Sequence, residues 1–420
     1  MRKNRIFWLL VVAVIGLMSS CEKEQFNKER YNEFVDYEFM IDNMDRSHNW
    51  SLTHSDTINI ITPSTVNTVQ ILTGTPYGGQ EVEICAEGVC YGNKATLAYT
   101  IPNTQNRLYL AAISSTGEYL GVTPFDYGTK SIDLNSQQLY TGQNLKDPIP
   151  QTFTYLFEEN FPEPGDFDYN DVVLRIGKSY TESSYQVVLT VKLDAAGAVK
   201  QNAAAIHLAG IQYDEVSKVE ILSGEQMDKD YPMPRRYIGS DKLLVKGRNG
   251  EAVVNLFEDA HWALLKSSEN NGSILRMTIN TTHSTTQDKA TITDPITTTY
   301  CITFKERNTA RGLTFDRIDP FILEEYNGSV WEVHTYAYKF NDVLKDIFRG
   351  NQSAYDNHIS WCVVVPQKDF RYPIEGMPLS TFSSQSSEVF GPYDDFSKWM
   401  KNHFAYNDWY KNLTRSQLVY

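Results

Sequence analysis

Lysine and arginine are in short supply in this chain. Its 38 basic residues face 52 aspartates and glutamates over 420 residues, a formal charge of −14. A surface so poor in positive charge excludes nucleic acid as a partner, because phosphate backbones are gripped by clustered Lys and Arg. It suits divalent cations instead. Catalytic signatures are missing as well. There is no Gly-x-Ser-x-Gly elbow, phosphate loop or dinucleotide fingerprint. No His-x3-His or Cys-x2-Cys pair exists, so a zinc site has no local framework. Beyond the N-terminus no apolar run reaches the ~20 residues that span a bilayer, and no internal repeat of fixed period is visible.

What is present starts with a leader. Arg2, Lys3 and Arg5 precede an apolar stretch from Ile6 to Leu17, and Met18-Ser19-Ser20 lead into Cys21. Residues 1–20 read as a lipoprotein signal, cleaved before Cys21, which is then acylated. Met18 stands where leucine is more usual, and an ordinary secretory signal beside an incidental Cys21 is the alternative. Acyl chains anchor a protein to a membrane surface without a spanning helix. Cleavage removes three positive charges and no acids, so −14 becomes −17. Residues 21–35 are charged and aperiodic, as a tether would be.

From there the pattern is one of short strands. Thr57–Ile61, Val66–Leu72, Glu81–Cys85, Thr96–Ile101 and Leu108–Ile113 recur with turn clusters between them, which indicates a β-sandwich over residues 36–145. Gly142, Pro148 and Pro150 interrupt the pattern and mark a linker. Residues 150–420 carry further strands, with helical patches at Val254–Leu265, Phe340–Phe348 and Asp394–Trp409. The expected fold is mainly β: two antiparallel β-sandwich-like domains, the C-terminal one with a few short helices. Cys85 and Cys90 flank a Gly-containing spacer suited to a disulfide-stapled hairpin, while Cys301 and Cys362 read as a second pair or as buried thiols.

The densest chemistry lies between Glu158 and Asp171. Asp166, Asp168 and Asn170 alternate, Asp171 follows, and Glu158 and Glu159 stand upstream. Alternation in a tight loop turns oxygen-bearing side chains toward one point, as Ca²⁺ requires with its 6–8 oxygen ligands. Without a cation such acids repel and raise one another's pKa. Pro162 and Pro164 restrict the approach, and Gly165 supplies freedom for a positive φ before the first ligand. The EF-hand pattern is excluded, because Asp171 stands where it needs Gly and Gly177 where it needs Glu. An ordinary acidic turn is the alternative, since Asp, Asn, Gly and Pro are also turn residues.

The second region resembles the LruC-domain family of Gram-negative lipoproteins. The likeness rests on Phe157-Glu158-Glu159, Phe161-Pro162 and Gly165 to Asp171, with Glu159 in place of the usual Asp. It continues through Asp319-Pro320-Phe321-Ile322, Trp331-Glu332-Val333-His334, Ser360-Trp361 and Phe370-Arg371-Tyr372-Pro373-Ile374-Glu375 to Asp408-Trp409-Tyr410. The resemblance implies an outer-membrane-associated β-protein, periplasmic or cell-surface, that binds calcium and has no established catalytic activity. A β-domain often precedes this module, as residues 36–145 would here.

Three function classes survive. The first is a non-catalytic binding or adhesion module for glycan or protein, stabilised by calcium. The second is a purely structural envelope lipoprotein. The third and most distant is a glycan-cleaving enzyme, which would need a carboxylate pair that the sequence does not single out. Glu332 and His334 share a strand face, and His261 and His403 lie near aromatics; each reads as an ordinary surface histidine.

Overall fold

The computed structural model describes residues 44–159, 161, 165–283, 290–346, 359–383 and 388–420. The leader, Cys21 and the tether, as well as Pro162 and Pro164, lie outside the described residues.

The chain is mainly β. The first part contributes β1 (Thr53–Ile61), β2 (Thr68–Leu72), β3 (Glu83–Val89), β4 (Lys94–Pro102), β5 (Arg107–Ile113), β6 (Tyr119–Asp126) and β7 (Ser131–Asp133). A small sheet of order β4-β1-β7 packs on β2, β3 and β5 around Ile58, Ile60, Val69, Ile71, Leu97, Tyr99 and Leu110. Alternation makes this possible, since residues two apart share a sheet face.

The second part contributes β8 (Ile149–Phe157), β9 (Val172–Tyr180), β10 (Gln186–Ala195), β11 (Ala203–Gln212), β12 (Val216–Ser223), β13 (Leu244–Lys246) and β14 (Glu251–Phe257). Then come β15 (Thr278–Ile279), β16 (Ala290–Thr291), β17 (Ile296–Phe304), β18 (Ile318–Tyr326), β19 (Ser329–Val333) and β20 (Cys362–Val365). Helices are short: α1 (Ala260–Leu265), α2 (Arg307–Arg311) and α3 (Asp394–Lys401). No helix among the described residues is long and apolar enough to cross a membrane.

One sheet runs through both parts. Its order is β12-β17-β10-β9-β8-β3-β2-β5-β6, with β20 also on β8, and the two parts join where β3 meets β8 in parallel at Glu83–Ile149 and Ile84–Pro150. A second sheet, β13-β14-β11-β18-β19, packs on the C-terminal half of the first. Strand β11 is buried on both faces. Ala204, Ile206 and Leu208 join the core against the main sheet, whereas Ala203 and Ala205 join a smaller cluster with Val253 and Phe321. That double burial explains an apolar run interrupted only by His207 before Gly210. The first described residues also belong to this C-terminal core. Trp50 meets the Trp399 ring at 5.7 Å, and His48 Nε2 lies 3.1 Å from the Trp399 carbonyl.

Two sequence readings need correction. Cys85 and Cys90 carry free thiols, because Cys85-Ala-Glu-Gly-Val belongs to the single strand β3 and not to a hairpin. Five residues of strand separate their Cα atoms by roughly 16 Å, whereas a disulfide tolerates about 7 Å. Cys301 and Cys362 are buried free thiols. Of the helical patches, Val254–Leu265 is strand β14 followed by α1, and Asp394–Trp409 is helical only to Lys401.

Candidate metal centre

The acidic loop connects β8 to β9, neighbours at the centre of the main sheet, so both its ends are fixed by the ladder from Gln151–Lys178 to Phe157–Val172. Carboxylate oxygens of Glu158, Asp166 and Asp168 come within 4.8 Å of one another. Glu158 and Asp168 are buried and Asp166 is exposed, so the cluster has one open side.

The loop's shape comes from an alternation of backbone handedness. Phe167 and Tyr169 both take positive φ, 60° and 52°, between Asp166, Asp168 and Asn170. A left-handed non-glycine residue costs about 1–2 kcal/mol, and burial holds both aromatics in place, at 6% and 0% exposure. Gly165 is not among the positive-φ residues, contrary to its sequence reading. Glycine is needed there for close approach: a Cβ would lie 1.7 Å from Glu158 Oε1.

The other three expected ligands do something different. Asp171 Oδ2 accepts the Glu159 N–H at 2.6 Å and so bridges the loop's two ends. Glu159 is buried elsewhere, where its Oε2 accepts from Asn202 at 3.1 Å and its Oε1 lies 3.9 Å from the Lys200 ammonium. Asn170 donates its amide to the Pro373 carbonyl at 3.2 Å, while its Oδ1, without a hydrogen-bond partner, sits where a side chain on Gly197 would have to go. Of the six residues read as one ligand set, Glu158, Asp166 and Asp168 bring carboxylate oxygens together, and Asp171, Glu159 and Asn170 make the hydrogen bonds just described.

Distant chain completes the surroundings. Gly376 donates its N–H to Asp168 Oδ2 at 2.7 Å, Leu379 donates to the Phe167 carbonyl at 2.9 Å, and Tyr169 donates its N–H to Glu158 Oε2 at 3.1 Å. Glu375 adds a further acid that spacing could not reveal, since some 200 residues separate it from the loop. It was visible only as part of the terminal block of the resemblance. Burial, then the charges of Asp168 and Asp166, hold Glu158 well above the usual carboxylate range. Burial with Asp166 and Glu375 does the same to Asp168, and burial with Glu158, Asp168 and Glu159 to Asp171. Burial pushes Glu375 up to about 7. Among the described residues no Lys or Arg forms an ion pair with Glu158, Asp166, Asp168 or Asp171. A buried cluster of acids without a cation is unfavourable as ionised groups. The donor set, all oxygen and open on one side, fits a hard divalent cation.

His334 and His261 are buried and His403 is half-buried, so none of the three is the surface histidine the sequence suggested. His334 Nδ1 lies 2.7 Å from Asp319 and its Nε2 3.1 Å from Glu332; His207 lies 3.1 Å from the same Asp319 and 2.5 Å from Glu251. This relay is buried under β11, β18 and β19, and each ring nitrogen already has a carboxylate partner. Sequence spacing could not link His207 to Asp319, which meet only through the β11–β18 register. His261 Nε2 meets the Ala198 carbonyl at 2.8 Å, and His403 meets Asp45 at 2.5 Å.

Fold and site together define a β-protein with an acidic clasp between two central strands. The chain belongs to a family described as a domain of unknown function, DUF4842, which matches residues 184–410. No curated protein matches it. Among solved structures it is similar to the crystal structure of a "Putative lipoprotein" from Bacteroides ovatus, at 17% identity and a TM-score of 0.50. The match covers 85% of this chain and 99% of that one. At that identity the likeness is one of fold.

Proposed function

We propose that this is a lipid-anchored cell-envelope protein that binds one calcium ion in its acidic loop and serves as a non-catalytic binding or adhesion module. The observation that carries the calcium reading is the convergence of Glu158, Asp166 and Asp168 within 4.8 Å, with no Lys or Arg ion pair to them among the described residues. Glu158, Asp166 and Asp168 would hold the ion, and Glu375 stands nearby. The ion would balance their charge and fasten β8 and β9 to the segment around Gly376. Asn170, Asp171 and Glu159 would hold the loop's shape. The anchor reading rests on the leader and Cys21, on the LruC-like motifs and on the fold shared with the Bacteroides ovatus protein. On this reading the protein sits at the outer membrane, facing the periplasm or the cell surface.

A binding role is supported by loops and aromatic side chains offered to solvent, where recognition concentrates. A purely structural lipoprotein is the second reading, favoured by the loop's tie to the C-terminal core through Gly376 and Leu379. Array screening against glycans and host proteins tests the proposal, with wild type beside an Asp166→Ala/Asp168→Ala variant. Reproducible binding supports the module, and silence across the array transfers the conclusion to the structural reading. Hydrolysis of an arrayed glycan would overturn the non-enzyme reading. Mass spectrometry of the native N-terminus decides the anchor: an unmodified terminus at any residue other than Cys21 ends that reading.

A further inference from the structure

In a chain so rich in acid, three basic residues gather in one cleft without an ion pair among the described residues. The cleft, about 210 Å³, opens between the β3–β4 hairpin and α2, and Lys94, Arg307 and Arg311 line it. Among the described residues none of the three forms an ion pair, although acids exceed bases by 52 to 38 in the whole sequence. The guanidinium groups are also pre-set. Arg307 lies over the Tyr91 ring at 4.1 Å and 6.0 Å from the centre of the Tyr185 ring. Arg311 is half-buried over Tyr180 at 5.0 Å, and its Nη1 donates to the Glu87 carbonyl at 3.0 Å. Gly88 keeps the floor open, since a Cβ there would meet the Leu97 side chain at 2.6 Å and reach the Arg311 stem at 3.8 Å. A guanidinium carries five donors, so both arginines retain N–H groups for a ligand. Burial lowers the affinity of Arg311 for its proton, against the opposing charges of Tyr180 and Glu87.

The rim adds a second element. Tyr91 lines the cleft, is 49% exposed, and is held by its hydroxyl, which donates to Ser184 at 2.7 Å; Tyr185, next in sequence to the lining residue Ser184, is 41% exposed. Exposed, positioned aromatic faces offer an apolar platform beside the cations, a pairing that suits a ring bearing an acid group. We propose that this cleft binds a saccharide unit carrying a carboxylate or sulfate, with Arg307 and Arg311 on the oxyanion and Tyr91 and Tyr185 against the sugar ring. The volume admits one such unit, being smaller than the ~300–1,000 Å³ of drug-sized sites. This rests on the reading of the protein as a binding module and is independent of the calcium loop.

Calorimetric titration of the mature protein with glucuronate, glucose 6-sulfate, glucose and inorganic phosphate tests it. Both acidic sugars should bind saturably and more weakly as salt is raised, with glucose at least tenfold weaker. Arg307→Gln and Tyr91→Ala should each weaken binding about tenfold or more, and Arg307→Lys should not restore it, because the planar fork is lost. Absence of binding by both acidic sugars, or equal affinity in wild type and Arg307→Gln, overturns the site while the binding-module reading stands. Phosphate binding without either sugar overturns the saccharide assignment. Turnover of either sugar overturns the non-catalytic reading itself.

Discussion

Asp166→Asn in the acidic loop gives the sharpest test of the metal reading, because its effect should change sign with calcium. Asp166 is the exposed member of the trio, so the substitution removes charge and ligand strength with little change in packing. Ligand at a hundredfold excess over its dissociation constant stabilises the folded state by about 2.7 kcal/mol. Unfolding entropy of ~2.1 cal/mol/K per residue gives ~0.8 kcal/mol/K for a chain of this length, so calcium should raise the wild-type midpoint by about 3 °C. Modules outside the cytosol often bind at 10⁻⁴–10⁻³ M, so millimolar calcium and above is needed. In chelator the balance reverses. Two unit charges at the 4.8 Å limit of this cluster repel by about 1 kcal/mol under water-like screening. Asp166→Asn should therefore melt at or up to about 1 °C above wild type in chelator, and below it in calcium. The assay is thermal unfolding by fluorescence or calorimetry in calcium, magnesium and chelator. Equal wild-type midpoints in all three, or a variant that keeps the full calcium gain, would show that the loop is only an acidic turn.

Three further outcomes follow from particular contacts. Gly165→Ala places a methyl 1.7 Å from Glu158 Oε1, so it should cost about 1–3 kcal/mol as an overpacked site and abolish the calcium-dependent rise in midpoint; a variant with a normal rise refutes the close-approach account. The His334 relay predicts a pH dependence. Burial alone would lower the His334 pKa, but Asp319 and then Glu332 push it up to about 9. With the folded pKa above the unfolded one, this stabilisation is complete below about pH 6.5 and lost as pH rises through 9. His207, Glu251, Phe321 and Tyr338 complete the surroundings. Melting at pH 6, 8 and 9.5 in saturating calcium should show the decline, flattened in Asp319→Asn; an unchanged slope in that variant argues against the relay. Thiol labelling under denaturing, non-reducing conditions should modify Cys85, Cys90, Cys301 and Cys362 alike, and protection of Cys85 and Cys90 would restore the staple.

Much of this was local and therefore legible in the sequence. Alternation marked most strands, and the alternating acids singled out one loop. Local pattern can do this because side-chain direction along a strand, and turn chemistry, depend on near neighbours. What tertiary structure decided involves distant chain or the direction a side chain takes. Spacing grouped Asp166, Asp168, Asn170 and Asp171 with Glu158 and, less firmly, Glu159, but with Phe167 and Tyr169 left-handed Asn170 donates to Pro373 with its Oδ1 against Gly197, while Asp171 accepts the Glu159 amide. Glu375 and Gly376 arrive from the other end of the chain, and His207 meets Asp319 only through strand register. The apparent break near Pro148 and Pro150 hides a parallel pairing of β3 with β8 that carries one sheet through both parts. The cleft between Tyr91 and Arg307 likewise exists only once α2 is laid against the β3–β4 hairpin. Composition and spacing determine which side chains are available, and long-range backbone pairing determines which of them meet.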